Sequence, residues 1–392
     1  MKKIVSVLMA AVLTIAIAMP AWAEVEGNKY SLPLEGTVLQ NQEDRNITNA
    51  TAVARNPIIP GESPTTGLSW SGVYLPMLVQ ISNPSGTVKV NGKTVTAAGV
   101  GQRAPWGGQF ADVVYEGILY RSGQTRISFL FSDSLDEGNP TSVGPVRSAR
   151  IGHVLLREEW QSGFIYAGGP HREENNIAAM FDDLGASDKG VLFNLLTNKW
   201  PDYRQRVKGL KSPDNLDANV VGLRDQIPTN YSASARAFLF ADESPYIDGY
   251  DIAYNINLDW GHEDYVSHFV YDETENLYFR YSGDAPYMSY ASASDRADEN
   301  ATWMSFANVI IQRVGYDYTN NSKIMPVMRS VGKGNADIFI GGRYIPGYWV
   351  RETTDGPTIY YDDKGNEIQL TRGKTFIADF PPESLCTFSG ME

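Results

Sequence analysis

The sequence predicts an α+β protein, with a mixed α/β N-terminal domain of layered sheets and helices and a mostly β C-terminal domain. Three observations carry this expectation. Twenty-two tyrosines, eight tryptophans and 36 glycines in 392 residues favour many strands and turns over long helices. Apolar residues recur at helical spacing around 148–160 and 173–184, both in the first half. From about Ala235 the pattern changes to alternating aromatic strands. About 370 residues beyond a leader suit two domains. The expected divisions are 1–23 signal peptide, 24–56 polar leader, 57–240 N-terminal α/β domain, 241–382 C-terminal mostly β domain and 383–392 tail.

The first 23 residues read as a secretory signal. Lys2 and Lys3 form the basic start, Ile4 to Met19 the apolar stretch, and Ala21-Trp22-Ala23 a small-x-small cleavage site. The apolar run is short for a membrane span. Cleavage near Ala23 and an extracytoplasmic mature chain starting at Glu24, without stable membrane insertion, are expected. Residues 24–56 are Asn-rich and without period, which suits a loose leader or an added edge strand.

Leu75 to Ile81 is a short apolar run that suits a buried strand. Val88 to Val95 alternates around Asn91-Gly92, a pair suited to a type I′ hairpin turn. Ala111–Tyr120 and Thr125–Phe131 read as strands joined at Ser122-Gly123. The first helix is expected to start at Ser148 as cap, with Ile151, Val154 and Leu155 on one face. The second carries Ile177, Met180, Phe181 and Leu184. Residues 198–230 are rich in charge, Asn and Pro, which suits a long surface connection. Beyond them, His268–Tyr271 and Leu277–Tyr281 form a hairpin pattern. Ala307–Val314 reads as a buried strand, and Ala336–Ile340, Gly347–Arg351, Thr358–Tyr361, Glu367–Leu370 and Thr375–Phe380 continue the sheet, with Gly341-Gly342 as a turn.

The formal charge of −13 becomes −15 once Lys2 and Lys3 are removed. Such a surface repels nucleic acid and anionic membranes, so an acidic ligand needs a local basic cluster. Cys386, the single cysteine, lies beyond Pro381-Pro382 and reads as an incidental tail thiol. With no internal disulfide, the fold rests on its core. The composition leaves the oligomeric state open.

Val143-Gly144-Pro145-Val146-Arg147-Ser148-Ala149-Arg150 is the most informative stretch, because it places two arginines at an expected helix start. Helix N-termini already attract anions, so arginines there point to an acidic ligand or a buried carboxylate. Asp112 and Glu116 share a face if Ala111–Glu116 is a strand. Arg126 across the hairpin is a partner for Glu116, with Arg147 and Arg150 as further partners. The five groups form either a ligand site or a buried ion network. Within it, Arg150 is expected to be structural and Arg147 to face the ligand.

The four histidines, His153, His171, His262 and His268, lack zinc-protease spacing, and no cysteine ligand set is present, so neither a metal nor a cofactor is expected. His153 reads as a satisfied surface or interface residue. His171 follows the tight turn Gly168-Gly169-Pro170. The acidic run Asp259 to Asp264 lacks EF-hand spacing. Gly332-Lys333-Gly334 lacks the rest of a phosphate-binding loop, and there is no Gly-x-Ser-x-Gly elbow.

Several of these segments together resemble the YerB-like family, bacterial extracytoplasmic proteins of unknown function, many of them lipoproteins. The resemblance spans roughly 57–380. Ala111 to Glu116 looks like the family's Ala-Asp-Ile-Val-Tyr-Glu, Thr125-Arg126 like its Thr-Arg, and Val143 to Arg150 like its Val-Gly-Pro-Val-Arg-Ser-Ala-Arg. Ala167-Gly168-Gly169, Ala307 to Ile310 and Gly347 to Arg351 match further segments. Three features depart from the pattern. The lipid-modified cysteine is missing, residues 85–98 look like an inserted hairpin, and Pro213-Asp214-Asn215-Leu216 replaces Pro-His-Asn-Leu. The resemblance implies a two-domain fold and supplies no reaction.

The expected function is an envelope binding protein that holds an acidic ligand such as a cell-wall fragment. Its expected ligand residues are Asp112, Glu116, Arg126, Arg147, Arg150, Gly168, Gly169 and Asn215. The alternative is a cell-wall glycan-cleaving enzyme using Glu116 or Asp112 as general acid. Four strand residues separate those carboxylates by about 13 Å, which disfavours a direct catalytic pair.

Overall fold

Residues 36–45, 58–172, 175–234, 238–318 and 325–390 are described in a computed structural model of the protein. The expected signal segment lies outside them. The described part of the leader contributes an edge strand, Thr37–Leu39 (β1). The first half then supplies Met77–Ile81 (β2), Ser85–Val90 (β3), Lys93–Ala98 (β4), Val113–Ile118 (β5), Thr125–Phe131 (β6), Ile151–Trp160 (α1), Gly163–Tyr166 (β7), Ile177–Asp183 (α2), Leu192–Asn194 (β8), Arg204–Arg206 (β9), Leu216–Ala218 (β10) and Val220–Arg224 (α3). The second half is built of strands: Asn255–His262 (β11), Tyr265–Asp272 (β12), Leu277–Ser282 (β13), Asn308–Arg313 (β14), Gly332–Ile340 (β15), Arg343–Arg351 (β16), Ile359–Asp362 (β17), Gln369–Thr371 (β18), Thr375–Phe380 (β19) and Cys386–Ser389 (β20). The class is α+β with strands dominant.

Two large sheets organise most of these strands, with β3–β4 and β9–β10 forming separate two-stranded ribbons. The larger runs β16, β15, β14, β19, β5, β6, β2, β7, β8, with β17 also paired to β16. Its middle joins distant parts of the chain: β19 lies parallel to β5, with Thr375 beside Val113 and Asp379 beside Gly117. The sheet therefore passes without a break from one side of residue 240 to the other. The second sheet is antiparallel and contains β1, β20, β11, β12 and β13 in that order.

Alternating residues on the large sheet feed two cores. Val114, Ile127, Phe129, Phe376 and Ala378 face the second sheet and meet Ile256, Phe269 and Phe388 there. Val113, Tyr115, Leu130 and Ile377 face the other way and pack under Val154, Trp160, Ile177 and Phe181 of the helices. The layers are sheet, sheet and helix.

The glycine-bearing hairpin turns form where expected. Asn91 and Gly92 adopt φ of 48° and 78° between β3 and β4, as a type I′ turn requires. Gly341 and Gly342 take φ of 56° and 70° between β15 and β16.

Three expectations are corrected. Residues 198–230 are not a plain surface connection: they hold β9, β10 and α3, and bury Leu216, Ala218, Val220 and Leu223. Besides its neighbour β9, β10 pairs with a remote segment, since Val143 and Ala218 exchange backbone hydrogen bonds of 2.9 and 3.0 Å. Cys386 is not in a tail: it is buried in β20, between β1 and β11. The first helix starts two residues later than a Ser148 cap implies, with Arg150 as N-cap. Ser148 instead donates to the Ala167 carbonyl at 3.0 Å, while His153 Nδ1 accepts from the Arg150 amide at 3.0 Å.

Candidate functional site

Residues 143–150 run extended rather than helical, and their backbone is held on both sides. Val146 N–H donates to Leu216 O at 2.7 Å, and Arg147 N–H donates to Gln80 O at 2.8 Å. Ala167 N–H donates to Arg147 O at 3.0 Å, and Ala149 N–H to Gly168 O at 2.9 Å. This strap carries Arg147 and Arg150 to the helix-covered face of the large sheet. Gly168 and Gly169 support it: Gly168 N–H donates to Asn194 Oδ1 at 3.0 Å. A Cβ on Gly169 would press to 2.1 Å from Ile177 Cδ1.

The same face holds a small cleft of about 20 Å³, lined among others by Arg126, Ser128, Arg150, His153, Tyr316 and Asp379. Register explains why Arg126 is there. It stands opposite Gly117 on β5, whereas Glu116 stands opposite Ile127 and faces the other core. The missing side chain at Gly117 leaves the space; a Cβ there would lie 3.0 Å from Tyr316 Oη. That hydroxyl donates to Asp379 O at 2.8 Å and accepts from Ile118 N–H at 3.1 Å.

Arg126 is 3% exposed, and among the described residues its Nε and Nη1 have no hydrogen-bond partner. Burial, then the positive charges of Arg150 and Arg147, push its guanidinium down to about 9. Burial lowers Arg150 as well, against the stabilising influence of Tyr120; its Nη1 donates to Ala149 O at 2.8 Å and its Nε is unpartnered. Arg147 is half-buried, with Nε 3.0 Å from Asp214 Oδ1 but out of hydrogen-bonding line. Asp214 also accepts from Ser82 Oγ at 2.6 Å and pairs with Arg103 at 3.3 Å. His153 is not at the surface: it is buried on the cleft wall, and burial with the two arginines lowers it well below the usual imidazole range.

The two carboxylates of the expected cluster lie elsewhere, in separate networks. Glu116, 1% exposed, pairs not with Arg126 but with Arg280 at 2.8 Å. It also accepts from Thr125 Oγ1 at 2.6 Å, Ser267 Oγ at 2.7 Å and Asn83 Nδ2 at 3.3 Å. Arg280 stacks 3.7 Å from the Tyr287 ring centroid. Asp112 accepts from Ser132 N–H at 2.8 Å, Asp133 N–H at 3.0 Å and Thr65 Oγ1 at 3.0 Å. Burial and then the charge of Asp133 push it up to about 8. Neither carboxylate lines the cleft. Asn215 is committed to the β9–β10 turn, accepting from Arg206 Nη1 at 2.8 Å and donating to Leu210 O at 3.1 Å.

Comparison with known proteins places this arrangement. A family profile described as protein of unknown function (DUF3048), N-terminal domain, matches residues 88–233, and its C-terminal counterpart matches 256–377. The chain belongs to this YerB-like family. The crystal structure of YerB from Bacillus subtilis superposes with a TM-score of 0.62 at 21% identity, covering 82% of this chain and 96% of that one, which shows a shared fold. A search of curated proteins gives no match. In this YerB-like chain the residue that the sequence argument passed over is Asp214. It stands next to Asn215, the residue expected at the ligand, and pairs with Arg103 and Arg147. Arg280 was also legible in principle, because Tyr278, Arg280 and Ser282 alternate inward along β13.

Proposed function

We propose that this YerB-like protein works outside the cytoplasm and binds an anionic cell-envelope ligand, such as a cell-wall fragment, at the cleft of Arg126 and Arg150 with Arg147 beside it. The observation that carries the reading is Arg126, a buried guanidinium with two bare N–H groups and, among the described residues, no ion pair. Structural arginines in this molecule look different. Arg280, Arg313 and Arg351 each pair with a buried carboxylate at 2.8–3.1 Å. A buried cation left without a counter-charge is costly unless a ligand supplies one.

The test is ligand-dependent thermal stabilisation. Solubilised anionic wall fragments should raise the melting temperature of the wild type, and Arg126→Gln and Arg150→Gln should each lose that rise. An equal rise in both variants, or none in the wild type, would sink the reading. N-terminal sequencing of exported protein tests its location, with Glu24 expected as the first residue.

A further inference from the structure

We infer that the group held in this cleft is a phosphoryl dianion, free phosphate or the terminal phosphate of an ester, rather than a carboxylate; this rests on the anion-binding reading above. Charge is the first argument. Arg103 and Arg147 pair with Asp214, whose charge also reaches Arg126, and Arg150 lies beside Arg126 and Arg147. Four cations against one anion leave a formal surplus of three positive charges in a chain whose net charge is −13. A carboxylate cancels one of them, and a phosphate monoester cancels up to two. The other acid on the cleft wall, Asp379, is pushed by burial well above the usual carboxylate range, which lowers its own claim on these cations.

Donor geometry is the second argument. Among the described residues, Arg126 Nε and Nη1 and Arg150 Nε are buried and unpartnered, while Arg147 Nε faces Asp214 Oδ1 at 3.0 Å. Gln80, opposite Ser128 on the same face and behind the cleft lining, has a further unpartnered Nε2 among the described residues; its Oε1 is taken by Ser128 Oγ at 2.9 Å. These donors come from a strand pair, an extended strap and a helix start, so they approach from several directions. A carboxylate presents two oxygens in one plane, whereas a phosphoryl group presents three around a tetrahedron and matches guanidinium forks. The start of α1 at the same wall adds its dipole in the same sense.

Calorimetric titration of the full purified chain with inorganic phosphate, glycerol 3-phosphate and acetate tests this. Both phosphate species should bind one to one, at least about tenfold tighter than acetate. Arg126→Gln should weaken them by at least about tenfold. Arg147→Gln, at a half-exposed position where folding is not at stake, should do the same. Tighter binding of glycerol 3-phosphate than phosphate would identify an ester as the source, and the reverse order the free ion. Acetate or muropeptide carboxylates binding as tightly as phosphate would overturn the phosphoryl assignment and leave the anion site standing. No binding of any anion would overturn both. Phosphate binding untouched in both variants would place it elsewhere and overturn the assignment.

Discussion

Arg126 and Arg280 are both buried and both arise from strands, yet they have opposite consequences for stability. Arg280 neutralises Glu116 inside a network of hydroxyl and amide donors. Glu116→Gln leaves Arg280 uncompensated and should cost about 3–5 kcal/mol in urea unfolding. Arg126 has no such partner among the described residues, so Arg126→Gln should raise apo stability by about 1–2 kcal/mol, within the range seen when a functional strain is relieved. A loss of stability in that variant would show an internal counter-charge. Asp112 supplies a pH dependence. Its carboxyl sits at about 8 in the folded state against 3.8 for the free group. Between those values the native state keeps a proton that the unfolded chain has released, so this contribution to stability is full below pH 3.8 and lost as pH rises through about 8. Asp112→Asn should flatten that part of the curve, checked by urea midpoints at pH 5 and pH 8. The presence of a charged cluster was legible from residue type and spacing. The partners were not, because register decides whether Arg126 shares a face with Glu116 or with Gly117, and register depends on pairing that no local pattern states.

At the scale of elements, legibility follows the range of the interactions. The Asn91-Gly92 hairpin, the strands Thr125–Phe131 and Thr375–Phe380, and the two main helices were readable because turn chemistry and periodicity are local signals. The segments 198–230 and 383–392 were misread because what buries them is remote. Leu216 and Ala218 are covered through pairing with the strap at 143–146, and Cys386 through β1 and β11. The last strand is therefore structural. Deleting residues 383–392 removes β20 from the middle of the second sheet, bares the edge of β11 and uncovers Phe339 and Tyr344, which pack on Phe388. The truncated chain should melt well below the parent, by an amount comparable to losing one buried aromatic, about 3–5 kcal/mol. An unchanged melt would return the segment to the status of a tail.

For the whole molecule, the large sheet makes the two family-defined parts inseparable by simple cleavage. A protease cutting once in the exposed stretches between 198 and 245 should yield two fragments that still elute together, because β5 and β19 remain paired within the sheet. Fragments that part without denaturant would show the halves to be independent. That same parallel pairing governs how the molecule is made. Residues 113 and 375 meet although more than half the chain lies between them, and so distant a contact forms slowly because loop closure precedes its reward. A chain emerging N-terminus first thus holds β5 with one edge open until nearly all of it has appeared. During that interval the bare edge is open to other chains, which makes synthesis and refolding, rather than the finished fold, the stage at which this protein is most exposed to aggregation.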